Sequence, residues 1–452
     1  MASTGVAAEP KVLGGGGRPF LTAQARLIVV TSLIGWTLAN MDQSFFTWAY
    51  PYVQKDFHIG LSQVSIIYLA LYISGWAATF AVGPLMELFG RKPIFQLTLL
   101  ATALGSVISA VSLGFGSLLA GRVVASAGAA AENFTSQVMN IESVPGRRKG
   151  MLVALAQIGY PLGWFLSAGI SLVAIERIGW RGLFFIGLLP ALFVLYLRLF
   201  VREPDRSAEL LRVRREARRA AAGVGMGALE EAATKIETRF AMNKQEAVHS
   251  PLRQLFFKDV RRTTLWLSLW FFVVNIANAG ATTYLPTIAA QRGISQSAIQ
   301  LIGVIVTAVA VVGYLTCAYL GTMIGRRNAM AIFYGIGIGM GVLVTFLGTT
   351  ALSFGLLYSL WWFFAYGIYG CAITYIMESF PTRVRGTGSN FVGQWVWAGF
   401  VVYTLAASWI LQTLGATAAL LVFLVGVAAV AFVILLFNRN IDPNVELEEI
   451  AI

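Results

Sequence analysis

The sequence has few charged residues, few histidines and few cysteines, and each shortage excludes a kind of protein. Only 12% of its 452 residues are charged, whereas soluble domains carry about 25%, so an ordinary soluble enzyme is excluded. The two histidines, His58 and His249, are too few for a histidine-based metal site. The two cysteines, Cys317 and Cys371, lie far apart in separate apolar runs and predict neither a disulfide framework nor a zinc site.

Apolar and small residues are abundant instead. Hydrophobic residues make up 57% of the chain, glycine occurs 46 times, and the mean hydropathy is +0.73. A membrane-spanning helix needs about 20 mostly apolar residues, and glycine lets such helices pack closely. The apolar runs are too long, and alternate too little, to be membrane strands. Twelve runs are predicted to span the membrane: 27–51, 61–85, 93–114, 117–141, 151–174, 179–200, 264–288, 297–321, 328–349, 352–377, 387–410 and 415–437.

Basic residues are concentrated on one side of the predicted membrane. The loops after the second, fourth, eighth and tenth runs are basic, and the segment 202–262 holds fourteen Lys or Arg and nine Asp or Glu. The positive-inside rule places this segment and both termini in the cytoplasm, which accounts for most of the +12 net charge without nucleic-acid binding. The predicted parts are an N-terminal tail (1–26), a six-helix bundle (27–201), a linker (202–262), a second six-helix bundle (263–438) and a C-terminal tail (439–452).

Two motifs of the first half recur in the second half at nearly the same spacing. Gly-Arg-Lys at 90–92 corresponds to Gly-Arg-Arg at 325–327, which lies 235 residues further along. Glu-Ser-x-Pro-x-Arg within 142–150 corresponds to a similar stretch within 378–386, at a spacing of 236 residues. Because both matches have nearly the same spacing, the sequence predicts two parallel repeats of six spans each.

These motifs resemble those of the major facilitator superfamily. The stretch 83–92 is similar to the loop signature of that superfamily, and Arg122, Gly128 and Glu132 resemble the fourth helix of its proton-coupled aromatic-acid and sialic-acid porters. The resemblance implies the major facilitator fold, with twelve transmembrane helices in two six-helix pseudo-symmetric halves. It also implies that the first and fourth helices line a central cavity between the halves.

Two acidic residues, Asp42 and Glu132, fall deep inside predicted spans. A charge at the middle of the membrane costs about 2.5–3.5 kcal/mol on insertion scales, and protonation or pairing removes that cost. The resemblance implies that both carboxyl groups face the central cavity together, where they would bind and release protons. The alternative is a purely structural role, in which a permanently protonated acid makes a helix–helix hydrogen bond.

Arg122 is the basic residue placed well inside a cavity-lining span. It either pairs with an acid, holds a substrate carboxylate in a two-point contact, or stabilises the bundle. Amide and aromatic side chains of other spans would supply neutral hydrogen bonds and flat walls, although such aromatic residues also serve ordinary packing. The predicted substrate-binding residues are Arg122, Asn275, Asn278, Tyr366, Tyr369, Gln157, Gln394 and Trp397.

Charged residues at the cytoplasmic ends of the spans are predicted to gate the cavity. The repeat places acids and bases side by side there, and separating such pairs is how rocking of the halves would be controlled. Direct contact with substrate is the alternative role. The predicted gating residues are Glu87, Arg91, Glu142, Arg147, Arg326, Glu378 and Arg385.

The resemblance implies a secondary active transporter that works by alternating access. We expect proton-coupled uptake of a small organic anion, a monocarboxylate or an aromatic acid, by a monomer in a bacterial-type inner membrane. Its partners would be the small-molecule substrate and membrane lipid, with the proton as coupling ion and with no cofactor or metal. Two alternatives stay open: a proton-coupled exporter of cationic or amphipathic compounds, and a non-transporting membrane sensor. An enzyme is not expected, because no nucleophile–base pair or metal cluster falls within reach of a span.

Overall fold

The computed structural model describes residues 23–143, 155–200, 255–380 and 384–440, and these segments are helical almost throughout. Most of each predicted tail and most of the predicted linker lie outside these segments. The first half consists of α1 (Ala23–Phe57), α2 (Leu61–Phe89), α3 (Arg91–Ala110), α4 (Phe115–Ser143), α5 (Gly159–Ile186) and α6 (Leu189–Phe200). The second half consists of α7 (Arg261–Thr282), α8 (Leu285–Gln291), α9 (Gln296–Ile324), α10 (Arg326–Leu347), α11 (Ala351–Ala365), α12 (Tyr369–Glu378), α13 (Arg385–Thr413), α14 (Gly415–Leu420), a π-helical stretch (Leu421–Val427) and α15 (Ala428–Phe437).

Nine stretches of the described residues are long and apolar enough to cross a membrane. α1 and α4 fall outside that set and contain the buried charges Asp42, Arg122 and Glu132. At 35 and 29 residues they are still about 52 and 44 Å long, more than the roughly 30 Å of a hydrocarbon core. One of the nine stretches, Leu155–Phe193, covers both the fifth and the sixth predicted spans. The nine stretches together with α1 and α4 therefore account for the twelve predicted spans.

The fifth and sixth spans are joined without a loop. Gly179, inside α5, has φ of 71° and ψ of 175°, so the chain turns sharply there and resumes a helix at once. Glycine adopts a positive φ without the steric cost that a Cβ atom would add. The sequence predicted two separate runs meeting near this residue.

Two spans of the second half are broken in the middle, although the sequence predicted each as one continuous helix. The seventh span stops at Thr282 and restarts at Leu285, followed by Pro286, a residue that cannot donate a backbone hydrogen bond to the preceding turn. The tenth span stops at Ala365 and restarts at Tyr369. Both breaks lie beside the space between the halves, which meet along α2 and α13, α5 and α9, and α1 and α8.

The two cysteines are neighbours in the fold, although 54 residues separate them in the chain. The thiol of Cys371 in α12 donates a hydrogen bond of 3.1 Å to the carbonyl oxygen of Cys317 in α9, and both thiols are free and buried. Packing of α12 against α9 brings them together. Their separation in sequence gave no sign of this contact.

Candidate functional site

A small cavity lies where the two halves meet. Its wall combines aromatic rings from both halves with hydroxyl groups and one side-chain amide, and it includes no charged residue. Such a wall can stack against a flat ligand and donate hydrogen bonds to it. The lining residues are Gln43, Thr47, Tyr68, Leu71, Tyr72, Tyr160, Trp164, Ala279, Thr282, Thr283, Tyr366 and Phe400.

Hydrogen bonds between the halves close the end of the bundle that lies away from the N-terminus. The Tyr50 hydroxyl forms a hydrogen bond of 2.8 Å with the Thr287 hydroxyl and accepts another of 3.1 Å from the Thr287 N–H. The Tyr284 hydroxyl donates to Ser65 Oγ at 2.8 Å. These contacts join α1 and α2 to the α7–α8 break and to α8.

Contacts between α2 and α13 form a second junction between the halves, and they involve two predicted substrate-binding residues. The Thr79 hydroxyl donates to Gln394 Oε1 at 2.6 Å. Trp397 packs against Gly75, where a Cβ atom would approach its ring to 3.0 Å. Gln394 and Trp397 do not line the cavity. In this conformation they join the two halves instead of facing the site.

A charged cluster is enclosed within the first half. Arg122 Nη2 lies 3.1 Å from Asp42 Oδ2, and both side chains are almost completely inaccessible to solvent. Ser106 donates to the other carboxylate oxygen, and Ser109 Oγ accepts from Arg122 Nε at 3.1 Å. The guanidinium also lies over the Phe184 ring, 4.5 Å from its centroid. The cluster ties α1, α3 and α4 to the end of α5.

Glu132 lies in different surroundings. It is fully buried, and neither carboxyl oxygen has a hydrogen-bond partner among the described residues. A Cβ atom on Gly35 of α1 would lie 2.9 Å from Glu132 Oε1 and equally close to the Phe95 ring. Ser136, one turn along α4, is a nearby hydroxyl residue. An unpaired charge in such a place is costly, and protonation removes the charge.

The expected meeting of the two carboxyl groups in the central cavity is therefore wrong. Asp42 is paired with Arg122 inside the bundle, and neither acid lines the cavity. Glu132 contacts α1 at Gly35, seven residues or about 10 Å along the helix from Asp42. The sequence predicted the depth of each acid in its span but not the direction in which its side chain points. Of the alternatives for Arg122, the structure shows pairing with an acid.

Amides and tyrosines of the second half form a neutral cluster. Asn278 Nδ2 donates to the Ala365 carbonyl oxygen at 3.2 Å, and the Tyr334 hydroxyl donates to Asn278 Oδ1 at 3.3 Å. The Tyr369 hydroxyl donates to Asn275 Oδ1 at 2.9 Å. These predicted substrate-binding residues satisfy one another, and none of them lines the cavity. In this conformation they act as bundle contacts, since buried amides need partners.

Among the eight predicted substrate-binding residues, Tyr366 is the one that lines the cavity. It lies at the α11–α12 break, where its hydroxyl forms a hydrogen bond of 2.8 Å with the Thr282 hydroxyl at the α7–α8 break. Its ring stacks on Trp362 at a centroid distance of 3.9 Å. Gln157 is buried just before α5 and does not line the cavity.

Most of the lining residues were not predicted from the sequence. Gln43 and Thr47 are four residues apart on α1, Tyr68 and Tyr72 are four apart on α2, and so are Tyr160 and Trp164 on α5. Residues four apart share one face of a helix. Polar and aromatic pairs at this spacing were the available signal, but the same pattern is also common in ordinary packing.

The predicted gating residues are described in part. Arg326 Nε and Nη2 donate to the two oxygens of Glu378 at 2.5 and 2.7 Å, which joins the start of α10 to the end of α12 within the second half. Arg91 is buried, and its Nη1 donates to the Met86 carbonyl oxygen at 3.4 Å. The side chains of Glu87, Glu142 and Arg385 and the whole of Arg147 lie outside the described part of the chain.

Two six-helix halves with a cavity between them are the architecture of a membrane transporter. The chain belongs to the Major Facilitator Superfamily, whose pattern matches residues 32–399. The fold is similar to that of the proton:xylose symporter XylE bound to 6-bromo-6-deoxy-D-glucose. The TM-score is 0.70 with 17% sequence identity, covering 95% of this chain and 98% of that one. The predicted fold is thus confirmed.

Curated relatives are transporters too. The niacin transporter NiaP of Acinetobacter baylyi is 25% identical over 79% of this chain and 81% of its own length. The sialic acid transporter NanX of Escherichia coli is 23% identical over 93% of this chain and 95% of its own. The chain is therefore an integral membrane transporter for a small molecule, and the expectation that it is not an enzyme is confirmed by its family.

Proposed function

We propose that the protein takes up a small organic anion, a monocarboxylate or an aromatic acid, together with protons by alternating access. The observation that supports this most directly is the cavity, which offers hydroxyl and amide groups between aromatic walls. Hydrogen-bond donors such as Thr47 and Gln43 suit a carboxyl group. Rings such as Tyr72 and Phe400 suit an unsaturated or cyclic body.

We prefer an acid to a cation because of the names of the relatives, since a wall without charged side chains fits either. A cationic substrate is usually met by acidic side chains or by a desolvated aromatic cage with a nearby counter-charge. The lining residues include no acid, and Asp42 is already paired with Arg122. The names of two relatives agree with an acid as substrate, since niacin and sialic acid both carry a carboxyl group.

The proton-coupling residues in this proposal are Asp42 and Glu132. Glu132 has no partner among the described residues, so gain and loss of a proton directly changes the energy of the surrounding helices. Asp42 directly precedes Gln43 in α1. Gln43 lines the cavity, whereas the Asp42–Arg122 pair lies inside the first half next to it. Protonation of Asp42 would loosen its pairing with Arg122 and let α1 move with the substrate.

The Arg326–Glu378 pair fits a gate at the end of the bundle where the described chain begins. The pair forms a two-point contact between α10 and α12, and α12 directly follows the break at which Tyr366 lies. Rearrangement of this pair when the halves rock would transmit motion between that end and the cavity. Arg91, Glu87, Glu142, Arg147 and Arg385 belong to the same proposed gate.

The proposed setting is a bacterial-type inner membrane with a monomeric protein. Both termini and the segment 202–262 would lie in the cytoplasm, as the basic loops indicate. The proton is the proposed coupling ion, and the proposal needs no cofactor.

Purified protein in liposomes that contain a pH-sensitive dye tests the proposal. Benzoate, nicotinate and short aliphatic monocarboxylates are added outside, and acidification of the interior is followed. Protein-free liposomes set the baseline because free acids cross bilayers unaided. The Glu132→Gln variant should abolish acidification above the baseline, whereas the matched control Glu176→Gln, at an exposed position on α5, should keep it. No acidification above the baseline for any acid would contradict the proposal.

A further inference from the structure

A tryptophan of the first half lies directly against a glycine of the second half. Trp48 of α1 is almost completely buried, and its ring contacts the backbone of α9 at Gly303. A Cβ atom on Gly303 would overlap Cη2 of that ring and would lie 2.8 and 2.9 Å from Cζ2 and Cζ3. A close-packed interior has no room for such an overlap, so this contact exists only because residue 303 has no side chain.

The Trp48 ring is held in place by other residues of the first half. Its Nε1 donates a hydrogen bond of 3.0 Å to Ser167 Oγ on α5, and Ser44 Oγ donates to the same oxygen at 2.6 Å. Trp164 meets the ring edge-on, with centroids 6.4 Å apart and planes at 77°. Swinging the ring aside would break the buried indole hydrogen bond, which is costly. A side chain at position 303 would therefore push the halves apart instead of displacing the ring.

The contact lies between the cavity and the end of the bundle away from the N-terminus, called the distal end below. Thr47, the residue before Trp48, lines the cavity. Tyr50, two residues after Trp48, forms the hydrogen bond with Thr287 of α8. Gly303 lies in the first third of α9, the helix that follows α8 in the chain. The approach of α9 to α1 at this contact therefore bears on the hydrogen bonds that join the halves at the distal end.

We propose that Trp48 and Gly303 form a steric latch, which lets the two halves meet at the distal end only while residue 303 has no side chain. With a Cβ atom there, α9 and the preceding α8 stand back from α1, and the hydrogen bonds of Tyr50 and Tyr284 between the halves lengthen or break. The population of molecules then shifts towards an arrangement that is open at the distal end. This latch concerns closure of the bundle with any substrate and so goes beyond the proposed function.

Thiol labelling of the purified full-length protein in detergent tests the latch without any substrate. Ser65 is buried and accepts the hydrogen bond of Tyr284, so the thiol introduced by Ser65→Cys is shielded while the distal end is closed. Gly303→Ala in this background should raise the rate of labelling by a water-soluble maleimide about tenfold, because overpacking disfavours the closed arrangement.

Gly339→Ala in the same background is the matched control. It is also a glycine-to-alanine change within a helix of the second half, but nothing lies within 4 Å of the added Cβ atom. It should leave the labelling rate within about twofold of the background. Equal rates in Gly303→Ala and Gly339→Ala would show that residue 303 does not control closure, and the latch would be wrong.

A second variant identifies the atoms that the new methyl group meets. Trp48→Phe removes the outer part of the ring, so Trp48→Phe combined with Gly303→Ala should bring the rate back to within about threefold of the background. A rate as fast as in Gly303→Ala alone would show that Trp48 is not the obstacle and would contradict the latch. The buried native thiols of Cys317 and Cys371 report unfolding in the same samples. A rise in their labelling equal to that at residue 65 would show general loosening of the bundle and would also overturn the latch.

Discussion

The polar groups buried in the cores of the two halves differ: those of the first half include ionisable acids and a base, and those of the second half are neutral amides and hydroxyls. The first half encloses the pair Asp42–Arg122 and the unpaired Glu132, whereas the second half encloses amides and tyrosines around Asn278. Asp42 and Asn278 are 236 residues apart, which is the spacing of the repeated Glu-Ser-x-Pro motif. At equivalent places in the repeat, one half thus holds a group that can exchange a proton and the other holds a group that cannot.

Under the proposed proton-coupled function, this difference separates two tasks, the handling of the proton and the binding of the substrate. A charged core changes its energy when a proton arrives, so it can bias the position of the helices that it joins. A neutral core keeps its hydrogen bonds at any pH and can hold the break that carries Tyr366 in a fixed place. The cavity lies between them and takes lining residues from both halves.

The largest effect should come from removing one partner of the charged pair. Arg122→Gln leaves the Asp42 carboxylate buried without its counter-charge, which should lower the free energy of unfolding by about 3–5 kcal/mol. Chemical unfolding of the purified protein in detergent measures this loss. The double variant Asp42→Asn with Arg122→Gln removes both charges and should recover most of the stability. A double variant as unstable as the single one would show that the pair is not what the arginine stabilises.

The neutral core should be less sensitive to a single deletion. Asn278→Ala leaves the Tyr334 hydroxyl without its acceptor, which should cost about 1–3 kcal/mol in the same assay. Proton-driven uptake should persist in this variant, because the neutral core carries no exchangeable charge. Asn328→Ala is the control, since Asn328 donates an exposed hydrogen bond to the Ile324 carbonyl oxygen at the end of α9 and should matter less. Loss of proton coupling in Asn278→Ala would contradict the division of tasks between the halves.

The smallest effect concerns the proposed gate in the second half. Arg326→Lys keeps the positive charge but loses the two-point contact with Glu378, and should cost at most about 1 kcal/mol because the pair is partly exposed. The neighbouring change Arg327→Lys is the control, since Arg327 donates to the Leu436 carbonyl oxygen instead of an acid. Unfolding measurements that place Arg326→Lys near Arg122→Gln would contradict this order and show that the gate matters as much to stability as the buried pair.

The fold could be predicted because each feature of the sequence that indicates it is averaged over a long stretch of residues. Apolar runs, basic loops and the repeat each extend over many residues, and they define the twelve spans and two halves. The breaks at 283–284 and 366–368 were missed because one proline or glycine in a long apolar run does not reveal whether the helix ends there.

The site was harder to predict because it depends on which face of each helix points inward. The depth of Asp42 and Glu132 follows from their place in the runs, but their separate surroundings depend on helix rotation. Gln394 and Trp397 were expected at the substrate and instead join α13 to α2. Tyr366 was predicted as an aromatic residue of the tenth span, and the structure places it at the α11–α12 break, where it lines the cavity.

The division between a proton-handling half and a substrate cavity is tested most directly with Glu132→Gln in liposomes. Two measurements are made on the same preparation with labelled benzoate: exchange across the membrane at equal pH, and accumulation driven by a pH gradient. Protein-free liposomes again set the baseline. We predict that exchange persists at close to the wild-type rate, because the cavity is intact, while gradient-driven accumulation is lost. Loss of both would place Glu132 in the substrate path, and retention of both would show that the proton is handled elsewhere.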